Sequence, residues 1–169
     1  MAFCFWLFLH VLTLWVTRRV MSPEQSRRYR AQHMRSSDVL SSWLYMATPL
    51  SWLYSRPDSS PLLFGWGVLL YVLGAALGFW ALLSNPHFRP DIVAPPERIT
   101  TGAYGWFDHP GYVAFATMNL ATVLMLQHWQ GLAPFSLYVG VLLWRARQES
   151  KLFSTYRASK TDSPRCLQL

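Results

Sequence analysis

Charge is scarce in this chain, and acid is scarcer. Asp and Glu number 8 and Lys and Arg 15 in 169 residues, so charged residues make up 14% of a sequence that is 52% hydrophobic and 16% aromatic. An ordinary soluble domain carries about 25% charge, so this balance excludes that class and points to a membrane protein. Cysteine is also sparse: Cys4 and Cys166 stand at opposite ends without CxxC or Cys/His spacing. That excludes a disulfide framework and a zinc site, and no metal is expected. Internal repeats and low-complexity tracts are missing as well. The net charge of +7 suggests nucleic acid, but six of the 15 basic residues lie in 18–38 and six after 144, flanking apolar segments. This is the pattern of membrane topology, and no nucleic-acid partner is expected.

Against these absences stand long apolar runs. Leu62 to Leu83 is 22 residues without a charge, and at about 1.5 Å per residue it reaches roughly 33 Å, enough to cross the hydrocarbon core. Ala2 to Val16 is apolar and is followed by Arg18 and Arg19, as a short span meets a basic surface. A cleaved signal peptide would carry its charge before the apolar run and close on small residues, which this segment does not. Ser22 to Asp38 is polar and basic and opens with Ser22-Pro23-Glu24, where Ser can cap and Pro can take the first turn. Val39 to Tyr54 is apolar but carries Thr48-Pro49, which predicts a kinked or partly re-entrant span that relies on neighbours for its freed backbone groups.

After the short connection SRPDSSP comes the 62–83 span. Tyr112 to Trp129 and Leu132 to Trp144, joined at Gln130-Gly131, predict an antiparallel helical hairpin that dips in and returns. Basic residues number six in 18–38, two in 84–111 and six in 145–169, against one in 55–61. Five apolar segments with an outside N-terminus put the first three sets together on the cytosolic face. The tail from Ser154 to Leu169 is polar enough to be loosely ordered. Its last four residues, CLQL, fit a loose prenylation pattern, but Gln168 sits where that pattern is usually aliphatic.

The polar segment between the last two spans, RITTGAYGWFDHPGY at 98–112, is where chemistry concentrates. Taken singly its parts have plain explanations: His109-Pro110 makes a turn before a helix, and Tyr104, Trp106, Phe107 and Tyr112 make an aromatic belt. On the returning helix Arg145 and Glu149, four apart, share a face with Arg147 and Gln148 beside them, as a helix-end charge pair would. Yet a hairpin brings the two segments to one end, where polar groups distant in sequence can meet.

Together, the Gly-Ala-Tyr turn, Trp-Phe-Asp-His-Pro-Gly-Tyr, the apolar hairpin and Trp-Arg-Ala-Arg-Gln-Glu resemble the isoprenylcysteine carboxyl methyltransferase family. The characteristic run of that family reads approximately T-S-G-V-Y-x-W-F-R-H-P-S-Y-V. Asn85-Pro86-His87-Phe88 looks like its N-x-x-H or N-H segment. The resemblance covers about 62–153 and extends to a wider superfamily that includes phospholipid N-methyltransferases. It implies an all-α integral membrane bundle of about five transmembrane or partly re-entrant helices with a cytosolic cofactor pocket. Residues 1–61 would form N-terminal membrane segments and a basic loop, 62–153 the methyltransferase-like core and 154–169 a short polar tail. It further implies S-adenosylmethionine as cofactor and methylation of a prenylated C-terminal cysteine at the cytosolic face of the endoplasmic reticulum. Prenylated protein C-termini, or lipid-like substrates, and membrane lipids would be the partners. By the same resemblance Tyr104, His109, Pro110, Gly111 and Tyr112 line the cofactor pocket and Glu149 is its acid. Arg145 faces the substrate carboxylate beside Trp106, with Arg145 and His109 as the catalytic pair.

Three departures stand out. Asp108 replaces the family arginine before His-Pro, Pro96 replaces a family histidine, and Gln148 neutralises one of two acids. Unless another cation compensates, an anion at 108 is expected to weaken the binding of anionic groups. The chain also runs only a short way past Phe153. These features fit a non-enzymatic member that keeps the fold. A phospholipid N-methyltransferase, where Asp108 could serve an amine acceptor, is a further alternative.

Overall fold

The computed structural model of the chain describes residues 2–25, 36–54, 60–85 and 99–162, with the backbone alone at 36, 54 and 153–162. Every regular element among them is helical: α1 (Ala2–Val20), α2 (Ser36–Leu50), α3 (Pro61–Ser84), α4 (Pro110–Leu126) and α5 (Leu132–Asp162), with 3-10 turns at Ser51–Tyr54, Gly102–Gly105 and Trp129–Gly131. His87, Pro96 and Cys166 lie outside the described residues.

Side-chain caps mark two helix starts, at Ser22 and Ser60. Ser22 and Gln25 form a capping box, the Gln25 amide donating to the Ser22 hydroxyl at 3.1 Å and the Ser22 amide to the Gln25 side-chain oxygen at 2.8 Å. Ser60 caps α3, its hydroxyl accepting from the Leu63 amide at 3.4 Å, and Pro61 takes the first helical position. The 24 residues of α3 are about 36 Å long at the α-helical rise. Among the described helices, α1 and α3 are long and apolar enough to cross a membrane. Leu62, Trp66, Leu69, Leu73 and Leu83 stand exposed along α3, as lipid-facing residues do.

Among the described elements, α3 and α4 pack over the most extensive contact. A Cβ at Gly67 would meet Met125 Cγ at 2.6 Å and the Met125 amide at 2.7 Å, and one at Gly74 would meet Met118 Cγ at 2.8 Å and the Ala114 carbonyl at 3.1 Å. Two glycines seven apart on α3 therefore face Ala114, Met118, Ala121 and Met125 of α4. Small residues allow backbones to approach this closely inside membranes, where van der Waals contact drives helix association.

The second helix does not break at Thr48-Pro49. It runs to Leu50 and passes into the 3-10 turn. Pro49 has no amide to give to the Tyr45 carbonyl one turn back, and the Asn119 side chain of α4 donates to that carbonyl instead, at 3.4 Å. At α5 the helix continues to Asp162, where the sequence pointed to a loose tail from Ser154.

Contacts sort the helix ends into two groups. At one end Gln25 donates to the carbonyls of Leu82 and Asn85 (3.5 and 3.0 Å), the Ala103 amide donates to Ser84 Oγ (3.2 Å), and α2, α4 and α5 meet at Asp38, His109 and Glu149. At the other, Phe3 stacks on Trp52 at 5.2 Å, Gln127 exchanges two hydrogen bonds with the Ser60 backbone, and His128 Nε2 reaches the Thr48 carbonyl at 2.8 Å. Successive helices thus alternate in direction, and among the described residues Arg18 and Arg19 of α1 and Arg145 and Arg147 of α5 lie toward the first end.

Candidate functional site

The segment 101–112 is pinned before it is decorated. Gly102 takes φ +61, and a Cβ there would lie 2.2 Å from Ser84 Oγ, so this position requires both glycine's left-handed freedom and its lack of a side chain. The next amide, Ala103, donates to that same Ser84 oxygen. The 3-10 turn then aims Tyr104 at the end of α3, where its hydroxyl accepts from Asn85 Nδ2 at 3.2 Å. Burial pushes the Tyr104 phenol above its usual value; the Asn85 amide works against this and the charge of Glu149 adds to it. Tyr104 is therefore a neutral hydroxyl at physiological pH.

His109 closes the loop as the N-cap of α4, with Pro110 at the first helical position and the His109 carbonyl accepting from the amides of Tyr112 and Val113. The arrangement places the imidazole over the first turn, stacked on the Tyr112 ring at 5.5 Å. Both rings face Glu149 of α5. His109 Nδ1 lies 3.1 Å from Glu149 Oε2, and the Tyr112 hydroxyl donates a short hydrogen bond to Glu149 Oε1. One carboxylate is thus held at both oxygens by the loop and the helix that follows it. Ser150 approaches His109 Nε2 at 3.5 Å.

Four residues earlier on α5, Arg145 faces a different neighbour. Its guanidinium lies 2.5 Å from Asp38 Oδ1 on α2, donates to Ser41 Oγ at 3.3 Å, and sits 5.9 Å from the centre of the Tyr112 ring. Both members of the ion pair are buried, with side chains 5% and 9% exposed. Removing one partner from such a pair costs about 3–5 kcal/mol because the other charge is left uncompensated. By contrast His109 and Glu149, at 22% and 19%, keep an opening to the surface.

Seven of the eight residues assigned site roles therefore converge: Tyr104, His109, Pro110, Gly111, Tyr112, Arg145 and Glu149 occupy one end of the α4–α5 hairpin. Trp106 is 81% exposed at the edge of that cluster. Asp108 is exposed beside it. Asp38 and Ser41 were not anticipated from sequence. The available signal was the position of Asp38, a lone acid where the polar segment meets the apolar run from Val39.

The donor set suits a cationic, hydroxyl-rich cofactor. Glu149 accepts one hydrogen bond from Tyr112 and lies 3.1 Å from His109 Nδ1, and a carboxylate offers about four lone-pair sites, so acceptor capacity remains beside the aromatic faces of His109 and Tyr112. Among the described residues no group of His, Cys, Asp and Glu could hold a metal ion.

No curated protein and no solved structure matches the chain. Residues 67–155 match the model of the isoprenylcysteine carboxyl methyltransferase (ICMT) family. This span begins at the glycine that seats α3 against α4 and runs past Glu149 on α5. Since it takes in more than half of the sequence, the chain belongs to the isoprenylcysteine carboxyl methyltransferase family.

Proposed function

We propose that this protein binds S-adenosylmethionine at the Glu149–His109–Tyr112 cluster and methylates the carboxylate of a prenylated cysteine. The observation that carries the reading is the Glu149 carboxylate gripped from both sides by the His-Pro turn and Tyr112. Glu149 is the acceptor for the cofactor's ribose hydroxyls or ammonium, and Tyr104, Pro110 and Gly111 complete the binding surface from the loop and the first turn of α4. Arg145 is the cation for the acceptor's carboxylate, and the exposed Trp106 meets its lipid portion at the membrane surface.

When bound, the cofactor supplies a methyl group on a sulfonium, and its transfer to a carboxylate oxygen forms an O–C bond, breaks an S–C bond, leaves the electron pair on sulfur and moves no proton. A carboxylate is already ionised at pH 7, so the residues need not supply a strong base. Their work is to hold, orient and partly dry the two reactants, and a low-dielectric rim favours a transition state in which opposite charges cancel. A lipid-modified acceptor arrives laterally through the bilayer. The charge distribution of the sequence, six basic residues in 18–38 and six in 145–169, favours a cytosolic orientation, a site at the endoplasmic reticulum membrane and five crossings.

The test is made on purified protein in detergent: calorimetric titration with S-adenosylmethionine, then transfer of labelled methyl to a farnesylcysteine analogue. Binding in the micromolar range and label on the analogue are expected. No heat and no transfer from a well-folded helical preparation would end the enzymatic reading in favour of a fold-retaining scaffold, whereas label on an ethanolamine lipid instead would mark an N-methyltransferase.

A further inference from the structure

Arg145 is not presented to an acceptor as a free cation. Its guanidinium is buried against Asp38 at 2.5 Å and donates to Ser41 of the same α2 turn. A guanidinium binds a carboxylate through a planar fork, and Asp38 is itself a carboxylate at that fork. It belongs to the first turn of α2, in the N-terminal part of the chain that precedes the family match at 67–155. An incoming carboxylate meets a guanidinium whose charge is already compensated, with Glu149 as a second anion one turn further along α5.

We propose that Asp38 is an internal carboxylate occupying the acceptor's place on Arg145, so that binding of an acidic acceptor exchanges one carboxylate for another and Asp38 sets the affinity for that class of substrate. The proposal rests on Arg145 being the acceptor's cation in the reading above. Its geometry suits exchange: the Asp38 carbonyl accepts from the hydroxyls of Ser41 and Ser42 at 3.0 and 2.8 Å, which ties the backbone of the turn while the side chain alone changes partner. Ser41 remains beside the guanidinium to receive it in either arrangement.

Two measurements test this, one of them independent of methyl transfer. Asp38→Ala leaves a carboxylate-sized gap at Arg145, and formate at constant ionic strength is expected to raise the thermal midpoint of this variant by several degrees over chloride, with no such rise in the parent protein. Equal midpoints in both salts would mean that Arg145 admits no external carboxylate, and the proposal falls. Asp38→Asn keeps the shape of the side chain and serves should the alanine variant not fold. By calorimetry it should bind the farnesylcysteine analogue on the order of tenfold more tightly than the parent, within the usual range of coupling between competing ligands, while the methyl ester of the analogue binds both alike. Equal or weaker binding of the acid by Asp38→Asn would make Asp38 a brace for Arg145 and overturn the exchange. If the analogue binds neither protein, the methyltransferase reading is what fails, and the formate result still decides whether Arg145 takes an external carboxylate.

Discussion

Glu149 joins the loop to the last helix through two different bonds, and they differ in what they require of it. The contact with His109 is an ion pair when the ring is protonated, whereas the Tyr112 hydroxyl donates to the carboxylate whatever the state of the imidazole. Hydrogen bonds to an ionised acceptor are roughly twice as strong as neutral ones. Glu149→Gln keeps an oxygen for one neighbour but removes the charge that a cationic cofactor needs. It is expected to weaken S-adenosylmethionine binding by about tenfold or more, roughly 1.4 kcal/mol. Tyr112→Phe leaves that charge in place and should cost only a few-fold. Calorimetry on the two variants distinguishes the effects, since equal losses would mean that the position of the carboxylate, and not its charge, governs binding.

Elements were legible where composition is uniform. The apolar runs read at 2–16, 62–83 and 112–129 correspond to α1, α3 and α4 to within a few residues, because a continuous run without charge leaves the backbone no alternative to internal hydrogen bonding in a membrane. Pro49 was correctly read as freeing a carbonyl that a neighbour must satisfy, but nothing near it in sequence names Asn119 as that neighbour, 74 residues away. The extent of α5 was misjudged because its last turns are polar and look like tail. The Asp38–Arg145 pair was invisible for the same reason as Asn119: a contact across 107 positions leaves no local spacing. The glycines of α3 carry no packing signal in the sequence, and only the structure gives Gly67 and Gly74 their partner. Gly74→Val would drive a branched side chain into Met118 and the Ala114 carbonyl, an overpacking cost of about 1–3 kcal/mol. Gly65→Ala on the same helix meets nothing within 4 Å and should be neutral. Thermal unfolding of the two variants in one detergent checks the difference, and matching midpoints would contradict the close approach of α3 to α4.

For the molecule as a whole, the question is whether the α4–α5 hairpin crosses the bilayer or dips into it, as its sequence first suggests. At 17 residues α4 is about 26 Å long, at the short limit for a span, so length alone does not decide. The connections do. Gln127, just past the end of α4, donates to the Ser60 carbonyl at 2.7 Å and accepts from the Ser60 amide at 2.6 Å, while the start of the loop into α4 is bonded to Ser84 at the opposite end of α3. Whatever separates Ser60 from Ser84 must therefore also separate Gln127 from Thr101, and α3 is the longest uncharged helix in the molecule. If α3 crosses, α4 crosses with it, tilted little and thinning the bilayer slightly. In a protein whose native cysteines are replaced, Thr101→Cys and Gln130→Cys, both at exposed positions, should react with a membrane-impermeant thiol reagent from opposite sides of sealed vesicles, the first from the cytosolic side. Labelling of both from one side would mean that the turn at 127–131 never reaches the far surface, and either the Gln127–Ser60 bonds or the crossing of α3 would have to be abandoned.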